Sequence, residues 1–69
     1  MSYELIRKED FNTYSLYQFV GDNSTDLDTI KLDYGNDLTT GSTSYIKENN
    51  VFIKYMVDTQ GNFIKMDTD

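Results

Sequence analysis

Five carboxylates, Asp22, Asp26, Asp28, Asp33 and Asp37, lie within sixteen residues of one another, with Lys31 the single base among them. This stretch carries −4 of a net charge of −6. Carboxylates so spaced could bind a cation, act as a general acid and base, or attract a positively charged macromolecule. Each use requires a different setting, and the residues around the five aspartates discriminate between them.

For a cation, Asp22-Asn23-Ser24-Thr25-Asp26-Leu27-Asp28 offers oxygen ligands at alternate positions, as the first half of an EF-hand loop does. That loop needs Gly at its sixth position and a bidentate Glu at its twelfth. Here those positions are Leu27 and Asp33, so the segment reads as a polar turn entering a strand, and no metal or cofactor is expected. For catalysis, the usual bases and nucleophiles are His and Cys, or Ser beside a base. The chain contains no His and no Cys, and no local motif supports a Ser–Lys pair. Paired carboxylates could flank a glycosidic bond, but a chain of 69 residues offers little concave space for a sugar. No enzyme activity is expected.

Electrostatic recognition is the remaining use. On a strand, carboxylates two residues apart stand ~6.7 Å apart at ~3.3 Å rise per residue, close to the spacing of neighbouring phosphates. A string of them could imitate a nucleic-acid backbone before a basic groove, although a charge run is more often a solvated face. Six tyrosines supply a second feature, because Tyr gives large contact area at low entropic cost. Tyr17 and Tyr34 lie near the acidic stretch in sequence and complete the expected partner-binding set of Asp22, Asp26, Asp28, Asp33, Asp37, Tyr17 and Tyr34. The competing reading of each Tyr is ordinary cross-strand packing.

The elements that must position these residues are mostly strands. The chain has no Ala, the strongest helix former, and no Pro, but is rich in the Val, Ile, Tyr, Phe and Thr that suit a pleated surface. Val51 to Val57 alternates with period two, and Asn62 to Met66 follows Asp58-Thr59-Gln60-Gly61, which predicts a hairpin. Its turn is either a type I turn with a bulge at Gly61 or a two-residue loop at Gln60-Gly61, the second placing Lys54 opposite Asp67 and Val57 beside Ile64. Asn49-Asn50 reads as a tight turn joining strand 42–47 to strand 51–57. Residues 29–34 read as a strand with Ile30, Leu32 and Tyr34 on one face, and 38–41 as a loop. Residues 3–8 read as a short strand. Residues 11–20 admit a strand or a helix capped by Asp10, and their aromatic content favours the strand. The sum is a mainly β domain, a five- to six-stranded antiparallel meander or barrel with room for one short helix near residues 10–20. Its expected core is Leu5, Leu16, Ile30, Leu32, Ile46, Ile53, Val57 and Ile64, and Asp67 to Asp69 are expected to fray.

A single domain is all that this length allows. With neither Cys nor His there is no disulfide or common zinc site to staple it, which leaves a homodimer as one route to stability. No basic start and apolar stretch mark a signal peptide, and no apolar run spans a membrane, so a complete, cytoplasmic product is expected. The negative charge argues against direct binding to nucleic acid or membrane and for a partner with a basic surface, such as a nucleic-acid-binding enzyme. In size and charge alone the chain is similar to small phage-encoded proteins that disable host enzymes or defence systems. The expected function is an inhibitor or modulator of a nucleic-acid-processing protein, acting through nucleic-acid mimicry. The alternative is a structural or assembly protein acting as a homo-oligomer.

Overall fold

The structure is a computed structural model and describes residues 3–66. It contains five strands, β1 (Tyr3–Asp10), β2 (Ser15–Gly21), β3 (Thr43–Glu48), β4 (Val51–Val57) and β5 (Phe63–Lys65), and one helix, α1 (Thr25–Tyr34), prolonged by a 3-10 turn at Gly35–Asp37. The protein is mainly β, and the five strands form one open sheet, not a barrel, in the order β1-β2-β3-β4-β5. Three of the four pairings are antiparallel, but β2 and β3 run parallel, with Phe19 opposite Ser44 and Val20 opposite Tyr45. A parallel pair cannot be joined by a tight turn. The chain from Asp22 to Ser42 must therefore cross the sheet, and α1 forms within that crossover. The all-antiparallel meander is corrected at this one junction.

The position of the helix is the second correction. Residues 11–20 hold a tight turn, closed by the Phe11 N–H donating to the Tyr14 carbonyl at 2.7 Å, and then β2. The helix lies at 25–34, where the alternation of Ile30, Leu32 and Tyr34 had suggested a strand. Three local features drive it. Asn23 Oδ1 accepts the N–H of Thr25 at 3.0 Å at the start of the helix, while Ser24 in the N-cap position makes no side-chain cap; Asp26 and Asp28 stand in the first turn, where carboxylates suit the helix dipole; and Gly35 follows the last turn at φ 52°. Leu27, Ile30 and Tyr34 supply the stripe at helical spacing. Leu32 falls on the outer side and is 85% exposed.

The hairpins follow turn chemistry. Asn49 and Asn50 both take positive φ, 52° and 66°, as a two-residue type I′ turn requires. At the second turn the Asp58 carboxylate accepts the N–H groups of Gln60 and Asn62, each at 2.9 Å. Gly61 sits at φ 81°, and Val57 pairs with Phe63. This is the type I turn with a bulge; the two-residue loop that paired Val57 with Ile64 does not form. Asp67 to Asp69 lie outside the described residues.

The core sits between α1 and one sheet face. Phe19, Ile30, Leu38 and Val57 form it, with Tyr3, Tyr17, Tyr34 and Phe63 packed around them. Ile46 is also fully buried. Of the expected core, Ile30, Ile46 and Val57 are buried, Leu16 and Ile53 are half-buried, and Leu5, Leu32 and Ile64 are exposed. Leu32 is lost with the strand at 29–34, and Ile64 with the one-residue change of register after Gly61, since a slip of one reverses the face. The other sheet face, with Leu16, Val20, Tyr45, Phe52, Met56 and Ile64, has no fully buried residue.

Ile30→Ala is expected to cost about 2–5 kcal/mol, the usual range for a buried aliphatic truncation, while Leu32→Ala shifts the urea midpoint hardly at all. Equal losses at the two positions would contradict the helix face assigned here. A second measurement concerns Ser44, whose buried Oγ has no hydrogen-bond partner among the described residues. Ser44→Ala removes an unsatisfied hydroxyl, so thermal unfolding is expected at the same temperature or higher.

Candidate functional site

The acidic segment is no longer a string once it coils into α1. Around a helix of 3.6 residues per turn, Asp26 and Asp28 project roughly 200° apart. The phosphate-like spacing that a strand would give is therefore not formed. Asp26 is buried, at 4% exposure. Its Oδ2 accepts the N–H of Asp22 at 2.8 Å and that of Asn23 at 3.3 Å, which ties the end of β2 to the start of α1. Gly21 makes this approach feasible, because a Cβ there would stand 3.0 Å from Asp26 Oδ2 and 2.9 Å from Ile46 Cδ1. Asp26 is thus a structural residue, not part of an exposed binding set.

Asp33 is exposed but engaged. The Tyr3 hydroxyl donates to its Oδ2 at 2.6 Å, joining β1 to the helix. This hydrogen bond, with burial and the negative charge of Asp33, pushes the Tyr3 hydroxyl up to about 12. Asp22, Asp28 and Asp37 are exposed on the loop before α1, on its first turn and in the 3-10 turn after it. Asp28 stands one turn before Leu32, so a carboxylate and a bare apolar side chain share the outward side of α1.

Tyr17 and Tyr34 touch each other edge to face at 5.1 Å, and Tyr34 meets Phe19 at 5.0 Å. They are half-buried between sheet and helix, so packing explains them, and Lys8 covers the Tyr17 ring at 5.8 Å. Tyr55 is likewise occupied. Its hydroxyl donates to Glu48 at 2.8 Å, and burial followed by that bond raises its pKa. The sequence-derived set therefore divides: Asp22, Asp28 and Asp37 remain available, Asp33 is shared with Tyr3, and Asp26, Tyr17 and Tyr34 serve the fold. The exposed apolar residue missed was Leu32. The signal for it was the stripe of Leu27, Ile30 and Tyr34, which leaves residue 32 outside.

The two sides of the protein differ in charge. On the uncovered sheet face, β2 to β5 present Lys47 and Lys54 and no carboxylate, as their registers fix. Glu4 and Glu9 enter only on β1, where Arg7 reaches Glu9 at 3.5 Å. A shallow hollow of about 120 Å³ on this face is lined by Arg7, Glu9, Leu16, Gln18 and Thr43 among others. Among the described residues no group of acids is arranged to hold a metal ion, and no helix is long and apolar enough to cross a membrane. Comparison with known protein families, curated proteins and solved structures finds no match to the chain.

Two tests follow. Because the Tyr3 pKa is raised on folding, its contribution to stability is complete below the ordinary tyrosine pKa near 10 and is lost as pH rises through about 12. Tyr3 is expected to ionise well above the ordinary tyrosine value when its ring carbons are followed by NMR, and Asp33→Asn to bring it down. Asp26→Ala should cost about 1–3 kcal/mol by orphaning two backbone N–H groups, whereas Asp28→Ala should cost well under half of that. A chemical-denaturation series on the two variants decides it.

Proposed function

We propose that this protein is a binding module whose α1 side engages a basic surface on a macromolecular partner, and that the partner is a nucleic-acid-processing protein which it inhibits or modulates. The observation that supports this reading most is the outward side of α1. Asp28 lies one turn from a Leu32 that is 85% exposed, with Asp22 and Asp37 at the two ends of the helix. Long-range attraction would come from the carboxylates and would set the rate of encounter. The apolar anchor that charge alone lacks would come from Leu32, in place of the half-buried Tyr17 and Tyr34. Competition with nucleic acid then depends on charge density rather than on a copy of phosphate spacing, since α1 does not space its acids as a strand would. Catalysis plays no part in this reading. A phage-encoded, anti-defence role would suit a small acidic inhibitor, and the reading places it in the cytoplasm with its target.

The test is capture on the immobilised protein from a cell lysate at low salt, identification of what binds, and kinetics with that partner. The Asp22→Asn, Asp28→Asn, Asp37→Asn triple variant should keep its melting temperature, because all three side chains are exposed. It should lose on-rate by an order of magnitude or more at low salt, with the difference shrinking as salt screens it. Leu32→Ala should instead raise the off-rate. A captured partner that binds the triple variant and Leu32→Ala as fast and as tightly as the parent would remove α1 from the interface.

A further inference from the structure

We propose that the uncovered face of the sheet is a two-fold interface with a second copy of this chain, in which Glu4 of each copy meets Lys54 of the other. The argument begins from register. Glu4 is opposite Val20, Val20 is opposite Tyr45, and Tyr45 is opposite Lys54. Residues opposite one another in a sheet share a face, so these four side chains form one row across β1 to β4. The row has an acid at one end, a base at the other, and apolar groups between. The next row runs Arg7, Gln18, Thr43 and Met56 by the same pairings.

A two-fold axis parallel to the strands and midway between β2 and β3 exchanges β1 with β4 and β2 with β3. It keeps each row at its own level. The first row is then laid on its own reverse, with Glu4 over Lys54 at both ends and Val20 over Tyr45 in the middle. In the second row Gln18 meets Thr43, and the Arg7 stem lies over Met56 while Glu9 holds its guanidinium. No like charges face one another in either row. The face is therefore complementary in charge to itself, which is the requirement for an isologous contact. A standard interface takes about 800 Å² from each partner, roughly a sixth of the 4805 Å² this chain exposes.

Other occupants fit less well. Single-stranded nucleic acid could stack on Tyr45 and Phe52, but Lys47 and Lys54 are the only cations on this face of β2 to β5 and the chain carries −6 overall. Packing this face against the α1 side of another copy would leave open ends and grow filaments. Pairing along β1 is opposed by its charges and by the bulge between Leu5 and Arg7, both of which blunt an edge. The inference is separate from the role of α1, which this arrangement leaves on the outside.

Sedimentation equilibrium of the full chain over a hundredfold dilution reads the result. The parent should be a dimer at the upper concentrations. Glu4→Lys and Lys54→Glu should each raise the dissociation constant about tenfold or more, and the double variant should recover most of that loss. Val20→Lys should give a folded monomer by far-UV circular dichroism. Should a variant fail to fold, the parent alone still decides: NMR shifts on dilution should centre on Val20, Tyr45 and Met56 and spare Leu32. A parent that stays monomeric throughout overturns the proposal, whether or not the monomer binds a single-stranded oligonucleotide. So does a dimer indifferent to Val20→Lys and both charge reversals, or one whose shifts are confined to β1 or to Val51–Ile53.

Discussion

The Asp26 carboxylate turns the chain out of the sheet and into the helix, and the rest of the fold depends on that turn. Two backbone N–H groups just past the end of β2 point at one buried oxygen, and the missing Cβ of Gly21 leaves room for that carboxylate, since a Cβ there would stand 3.0 Å from it. From there α1 crosses the sheet and returns the chain as β3 parallel to β2. Without the crossover, β2 and β3 would have to pair as a hairpin. That would reverse β3 relative to β2 and change which residues of β3 and β4 stand beside Phe19. A charged group costs much to bury unless its hydrogen bonds are met. Here it is placed where backbone donors at the sheet–helix junction would otherwise lack a partner.

The crossover also fixes the protein's asymmetry. One ten-residue helix can cover one face of a five-stranded sheet but not two. The covered face receives Phe19, Ile46 and Val57; the other keeps Leu16, Val20, Tyr45, Phe52, Met56 and Ile64 at the surface. The charges divide along the same line. Acids gather on α1, its flanking loops and the turns, while the bare face of β2 to β5 holds only lysines. The acids that reach the bare face, Glu4 and Glu9, stand on β1 at its edge. An interface through the middle of that face would bury no carboxylate without a partner, a burial that would oppose association.

Much of the strand content was legible because it was written in period two and in turn residues. Val51–Val57 was read to the residue, and Asn49-Asn50 declared its turn through tolerance of positive φ. At Asp58 to Gly61, side-chain pairing and turn chemistry disagreed, and turn chemistry prevailed because Asp58 satisfies two N–H groups at once. The helix was obscured for a specific reason. Ile30, Leu32 and Tyr34 alternate like a strand, while the helical stripe of Leu27, Ile30 and Tyr34 overlaps the same residues. Local composition, with Thr and Ile and no Ala, favoured the wrong choice. Asn23, the early aspartates and Gly35 favoured the right one, and only the parallel pairing of β2 with β3, which joins residues about twenty-five apart, settles it. The site was legible in charge but not in placement. Nothing in the sequence separates Asp26, which is buried by its contact with Gly21, from Asp28, which faces water.

The two proposed surfaces constrain each other. Facing sheets pack about 10 Å apart, and a helix lies about another 10 Å beyond its sheet. A dimer through the bare face would therefore set its two α1 helices on opposite sides, on the order of 30 Å apart. Two such helices cannot enter one groove from the same direction. They would engage two copies of a partner, or two basic surfaces on a large one, and the second contact would then be intramolecular and strengthened by effective concentration. Each copy of α1 must accordingly be able to bind alone, with Asp28 and Leu32 of one chain sufficient for recognition. Val20→Lys, which separates the copies without touching α1, would then weaken capture on a multivalent partner while leaving the affinity of a single contact unchanged. A lost single-contact affinity would mean instead that the bare face itself touches the partner.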